Sequence, residues 1–113
     1  FIYIGSTATH GAPPSGMAPY AAAKAAATQL AKSIALELAP KGIRANVVSP
    51  GFMATDLTAS VPSKARKLAA ARSPLRRLAE VGEISSAVAF LSSGQSAYIN
   101  GHDLVIDGGR TMA

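Results

Sequence analysis

The sequence predicts an α/β fold built on a parallel sheet, in the order strand, helix, strand, helices, strand. Three observations predict it. Short apolar runs at 1–4, 43–48 and 104–106 each give way within a few residues to glycine, the punctuation of buried strands. Helix formers fill the stretches between them, alanine-rich from Ala18 to Ala31. Strands that alternate with helices close most simply as a parallel sheet with right-handed crossovers. At 113 residues, 49% hydrophobic and 15% charged, the chain suits one packed unit and not a disordered tail.

Taken in order, Phe1–Ile4 reads as the first strand, ended by Gly5-Ser6-Thr7. His10–Ser15, with Gly11, Pro13 and Pro14, is a loop. Pro19 suits a first helical turn, and the helix runs from Tyr20 to Ala39, with Gly42 as its C-terminal stop. Ala23, Ala27, Leu30, Ile34 and Leu38 recur at spacings of three and four, which predicts one buried stripe. Ile43–Val48 is the second strand, halted by Pro50-Gly51. Pro62 and Pro74 break the following stretch, and Lys64–Arg72 is helical within it. Glu83–Leu91 is a further helix presenting Ile84, Val88 and Leu91 on one face, and Leu104–Ile106 is the third strand. Three strands make a narrow sheet whose first edge is unpaired. Phe1 opens directly in a strand, and the expectation is that the chain is part of a longer one.

Composition excludes several functions. Without cysteine there is no disulfide and no thiol chemistry, and two histidines do not make a metal cluster. No apolar run approaches the roughly 20 residues of a membrane span, and no signal-peptide pattern opens the chain. A cytoplasmic protein with no membrane partner is expected. The net charge is +5, and Lys64, Arg66, Lys67, Arg72, Arg76 and Arg77 crowd one stretch with no acid between Leu57 and Ala79. That stretch can face a phosphorylated cofactor or an acidic protein, or be a solvated helix face. It has no interleaved aromatics and no nucleic-acid motif, so nucleic acid is not the expected partner.

Three local features carry chemistry. Tyr20 and Lys24 lie four apart on the helix, which puts an ammonium beside a phenol. A neighbouring cation favours the phenolate, as acid–base work at neutral pH requires. Ser6 and Thr7 follow the first strand, at the sheet end where parallel sheets bind ligands, and either hydroxyl can bond a carbonyl or simply cap a turn. Ser49-Pro50-Gly51-Phe52-Met53-Ala54-Thr55 leaves the second strand at the same end. There Gly51 lets backbone approach a flat ring, and Thr55 can cap a helix or bond a ligand amide.

The ordered series resembles the short-chain dehydrogenase/reductase family over almost the whole chain. It runs from Ser6 through Tyr-Ala-Ala-Ala-Lys (20–24) and Gly42-Ile-Arg-Ala-Asn-Val-Val-Ser-Pro-Gly51 to Thr55-Asp56. It continues through Glu83-Ile, Ala87-Val-Ala-Phe-Leu-Ser92 and Ile99-Asn-Gly101 to Val105-Ile-Asp-Gly-Gly109. The Ile-Gly-Ser turn and the Pro-Gly-Phe segment are most similar to the 3-oxoacyl-acyl-carrier-protein reductases of fatty-acid or polyketide metabolism. The resemblance implies the C-terminal half of a Rossmann-like doubly wound parallel sheet, carrying the catalytic and substrate-binding parts, with the dinucleotide-binding half absent.

What it implies for function is a reversible hydride transfer between NAD or NADP and a carbonyl or alcohol, with NADPH favoured by the resemblance alone. Tyr20 would be the general acid and base. Lys24 would hold the nicotinamide ribose and favour the Tyr20 phenolate, and Ser6 would orient the carbonyl. Pro50 and Gly51 would line the nicotinamide, with the Met53 backbone and Thr55 near its carboxamide; no metal is implied. Residues 57–78 would form the substrate segment, which admits a small-molecule or carrier-linked carbonyl, and its basic residues would meet an acidic acyl carrier protein. A homo-oligomer, dimer or tetramer, is expected through the Tyr-bearing helix and the last strand.

Two departures qualify the match. The step from Ser6 to Tyr20 is one residue longer than the family's, which keeps Thr7 as a candidate hydroxyl beside the preferred Ser6 and puts the extra residue in the loop 10–15. The sequence also contains no Thr-Gly-x-x-x-Gly-x-Gly turn and no upstream catalytic Asn. The isolated chain is therefore expected to be inactive by itself, and a non-catalytic module for oligomerisation or protein binding is the alternative.

Overall fold

The computed structural model describes residues 1–113. Three parallel strands, β1 (Ile2–Ile4), β2 (Asn46–Pro50) and β3 (Asp103–Ile106), lie in the order β1-β2-β3. Tyr3 is registered with Val47 and Val47 with Asp103, so the three C-terminal ends emerge along one edge. The helices are α1 (Ala18–Leu38), α2 (Asp56–Ala59), α3 (Ser63–Arg72) and α4 (Val81–Ser92). Successive strand residues point to opposite faces. On one face Val48 packs with Ile84 and Leu91 of α4, joined by Ile2, Val88, Leu104 and Ile106. On the other, Val47, Ser49 and Thr28 of α1 close around Gly5. Helices thus cover both faces of the parallel sheet, the doubly wound arrangement expected.

Most elements stand where the sequence puts them. Pro19 falls in the first turn of α1, Gly42 takes the left-handed conformation (φ 75°) after a closing 3-10 turn, and Ile84 and Leu91 are buried on α4. Two expectations need correction. The second strand pairs from Asn46 to Pro50, later than Ile43–Val48. Residues 43–45 leave the ladder because their polar groups are engaged elsewhere. The Arg44 guanidinium donates to the carbonyls of Ile99 (3.0 Å), Leu91 (3.1 Å) and Ser93 (3.2 Å), and the Ala45 N–H to Asn100 Oδ1.

The buried stripe of α1 is also rotated by about one residue. Its buried members are Thr28, Ala31 and Ala35; Ala27, Ile34 and Leu38 are half-buried beside them, while Ala23 and Leu30 face solvent. Space explains the choice. A side chain at Gly5 would meet Ser49 Oγ at 2.6 Å and Val47 Cγ1 at 2.9 Å, so the helix settles with its small residues against the sheet. Asn100 Nδ2 pins it there by donating to the Ala35 carbonyl at 2.9 Å.

Candidate active site

The site is built where the strands end. Gly5 closes β1 with its N–H on the Val48 carbonyl (2.7 Å), and the crowding just described explains why no larger residue can make that turn. Ser6 follows in extended backbone, and its Oγ accepts from the Ala8 N–H at 3.1 Å to start a 3-10 turn, Thr7–Thr9. In that role Ser6 only accepts, so its hydroxyl hydrogen remains free for a ligand. Thr7 beside it is more deeply buried. Both residues line the same cleft.

Tyr20 sits in the first turn of α1, 45% exposed, with its ring over that cleft. Lys24, one turn further along, places its Nζ 5.9 Å from the Tyr20 ring centroid and 5.1 Å from that of Tyr3. The ammonium also donates to the Ile4 carbonyl at 2.8 Å, tying α1 to the last residue of β1. Lys24 does not line the cleft; it stands behind Tyr20.

From β2, Pro50, Gly51 and Met53 form the facing wall. Gly51 lies so close to β3 that a Cβ would come within 2.9 Å of Asp107 Cβ, while its N–H donates to the Ile106 carbonyl. The Met53 N–H donates to no group of the protein, an open backbone donor on the wall. Thr55 lines the cleft as well, but its polar atoms are engaged in capping α2. Its N–H donates to Thr58 Oγ1 at 2.8 Å, and its Oγ1 accepts from the Thr58 N–H at 3.2 Å. Of its two roles, the structure displays the cap.

The cleft holds about 770 Å³, large enough for a small ligand beside a flat ring. Phe52, Leu57 and Leu68 supply much of its apolar surface, and Leu57 is largely exposed. Ser6, Thr7, Tyr20, Pro50, Gly51, Met53 and Thr55 therefore line one cleft, and Lys24 does not. His10 and Arg110 also line the cleft, and sequence reasoning missed both. His10 Nε2 lies 3.1 Å from Asp103 Oδ2, whose other oxygen accepts from buried Ser49 Oγ at 2.6 Å. No local pattern joins residues 93 apart in the chain. A basic residue directly after Asp107-Gly-Gly109, at the ligand end of β3, was the available signal for Arg110.

The carboxyl of Asp107 is pushed up by partial burial, but hydrogen bonds from Thr111, Gly109 and Arg110 outweigh this and hold it below its ordinary value. The free Met53 N–H, the bare Gly51 and the Tyr20–Lys24 pair fit the nicotinamide–ribose end of a dinucleotide. No group of three metal-ligating side chains occurs, and no helix is long and apolar enough to cross a membrane.

Comparison with known proteins gives concordant likenesses. Residues 1–111 match the family profile described as enoyl-(acyl carrier protein) reductase. The 3-oxoacyl-[acyl-carrier-protein] reductase of Vibrio cholerae is 45% identical over 97 residues, 86% of this chain and 40% of that protein. A cis-4-hydroxycyclohexanecarboxylate dehydrogenase of Sinomonas cyclohexanicum is 44% identical over 92 residues, 81% of this chain and 37% of that protein. A double mutant of a short-chain dehydrogenase/reductase of Serratia marcescens superposes with a TM-score of 0.89 at 35% identity, covering 97% of this chain and 44% of that one. The chain spans about two fifths of the length of the curated relatives it matches.

Proposed function

The chain belongs to the short-chain dehydrogenase/reductase family, and we propose that it is the C-terminal catalytic and substrate-binding half of an NAD(P)H-dependent carbonyl reductase of the 3-oxoacyl-carrier type. The observation that carries this reading is the convergence of Ser6, Tyr20 and the Pro50–Met53 wall on one cleft at the C-terminal edge of the sheet. A bound nicotinamide supplies or accepts the hydride, and NADPH is the form the relatives' type favours. Pro50 and Gly51 would line its ring, the Met53 N–H would take the carboxamide with Thr55 nearby, and Lys24 would reach the ribose from behind Tyr20.

The residues of this chain then handle the carbonyl. Ser6, whose hydroxyl hydrogen is free, holds the substrate oxygen and supports its growing negative charge. Tyr20 gives its phenol proton to that oxygen as the alcohol forms and takes it back in the reverse direction. Lys24 steadies the phenol and its charge from within 6 Å of the ring. Of the two hydroxyls, Ser6 is preferred because it leaves the strand directly. The substrate type is taken from the relatives, two of whose names state a 3-oxoacyl-[acyl-carrier-protein] and a hydroxycyclohexanecarboxylate. An acidic acyl carrier as partner, a cytoplasmic location and a homo-oligomer belong to the same reading. A second reading, a module for oligomerisation, is favoured by the apolar residues α1 leaves exposed, Leu30 and Leu36.

The test is Tyr20→Phe in the intact protein that carries this chain, with NADPH and a 3-oxoacyl thioester. The expected result is a fall in kcat of roughly a hundredfold or more with KM little changed, since the phenol acts mainly in the transition state. Retention of most activity would show that Tyr20 is not the acid.

A further inference from the structure

The cleft holds a pair of positive charges that the catalytic reading leaves unused. Arg72 ends α3 and Arg110 opens the turn after β3, and both line the cleft that contains Ser6 and Tyr20. Of the other arginines in this stretch, Arg66 does not line the cleft, Arg76 donates to the Ala71 carbonyl, and Arg77 donates to Leu78 and Glu83. Neither Arg72 nor Arg110 has a side-chain hydrogen bond or an ion pair within the protein. No Asp or Glu side chain lines the cleft. The Asp107 carboxylate, three residues before Arg110, accepts from the N–H groups of Gly109 and Thr111 and not from a guanidinium. A helix C-terminus tolerates a cation, which accounts for Arg72 but not for Arg110.

We infer that Arg72 and Arg110 form an anion subsite for the substrate. Resting on the reductase reading, this assigns the substrate a carboxylate or phosphate, held by the two guanidiniums while its carbonyl lies against Ser6 and Tyr20. Guanidinium forks match both oxyanions, and a concave apolar site concentrates their field. Phe52, Leu57 and Leu68 of the same cleft supply apolar surface for the carbon chain. The anion has two sources: the carboxylate of a free oxo acid, or the phosphate of a pantetheine arm bearing the acyl group.

Three substrates sharing one 3-oxobutyryl group separate these in the intact protein: the free 3-oxo acid, its 4′-phosphopantetheine thioester and its uncharged N-acetylcysteamine thioester. Arg72→Gln and Arg110→Gln should each raise KM for an anionic substrate roughly tenfold, with kcat held, while the uncharged thioester is unaffected. Lysine at either position should restore part of the loss. An effect confined to the free acid identifies a carboxylate; one confined to the pantetheine thioester identifies a phosphate. Equal losses on the uncharged substrate, or none on either anion, overturn the inference. If the wild type reduces none of the three, the reductase reading fails, and the subsite is judged by NMR titration with inorganic phosphate and 3-hydroxybutyrate. Saturable shifts abolished in the Arg72→Gln/Arg110→Gln double variant support it, and absence of binding to the wild type overturns it.

Discussion

Glu83 is open to water, yet its carboxyl is held down to about 2 from an ordinary 4.5. Hydrogen bonds from Arg77 dominate: Nη1 and Nη2 reach its two oxygens at 2.7 and 2.6 Å, and the Glu80 N–H adds a third at 2.9 Å. The last of these is half of a capping box that starts α4. Because the folded value is depressed, the group stabilises the fold above about 4.5 and loses that contribution as pH falls toward 2. Arg77→Gln should return the Glu83 titration toward its ordinary range, read by NMR of the side-chain carboxyl. The same variant should flatten the part of the stability–pH curve between those limits. Arg77 and Glu83 lie six apart across a turn, a separation no helix rule flags, so the pairing was not legible in the sequence. The catalytic candidates were legible because their logic is local: Tyr20 and Lys24 share a helix, and Ser6 ends a strand. The Ser49–Asp103–His10 chain and Arg110 were not, because only folding brings them near the cleft.

Elements were read well where one face of side chains decides burial, as in α4, and less well where backbone geometry does. In α1 about half the residues are alanine, serine or threonine, so periodicity of bulk misjudged which side faces the sheet, and the crowding at Gly5 decided it. The start of β2 was misplaced for a different reason. Apolar Ile43 suggested strand, whereas Arg44 is engaged with the end of α4, where helices leave carbonyls without partners. One guanidinium there joins α4, the segment after it and the lead into β2. Arg44→Met should remove one donor from each of three carbonyls, which keep Asn46 Nδ2 or Ser96 Oγ as a partner, and the lost charge-assisted bonds should cost about 2 kcal/mol in chemical denaturation of the intact protein. Lysine at this position should recover only a fraction, because an ammonium lacks the planar fork that reaches three acceptors. A loss equal to that of a surface substitution would mean that Asn46, Ser96 and water satisfy these carbonyls without the guanidinium.

At the scale of the whole molecule, the parallel sheet followed from the alternation of strands and helices, and its two covered faces from the family resemblance. The distribution of charge depends on how α3 packs. The chain carries +5, and only part of the basic residues of α3 turn toward the cleft. Ala65, Leu68, Ala69 and Arg72, spaced three and four apart, line the cleft. Lys64 and Lys67 are exposed and do not line it, and Arg77 is neutralised by Glu83, so the basic stretch is smaller than its sequence count suggests. A positive flank beside a cleft speeds encounter with an acidic carrier without altering the chemistry within. Reversing both charges, Lys64→Glu with Lys67→Glu, should raise KM severalfold for a carrier-linked substrate and leave kcat unchanged. A free uncharged ketone, which has no acidic surface to steer, should be reduced as before. Raising salt should imitate the variant on the wild type, since screening acts over about 8–10 Å at ordinary ionic strength. Equal losses on both substrates would give α3 a structural role, and indifference to charge reversal and salt alike would leave Lys64 and Lys67 as a solvated face.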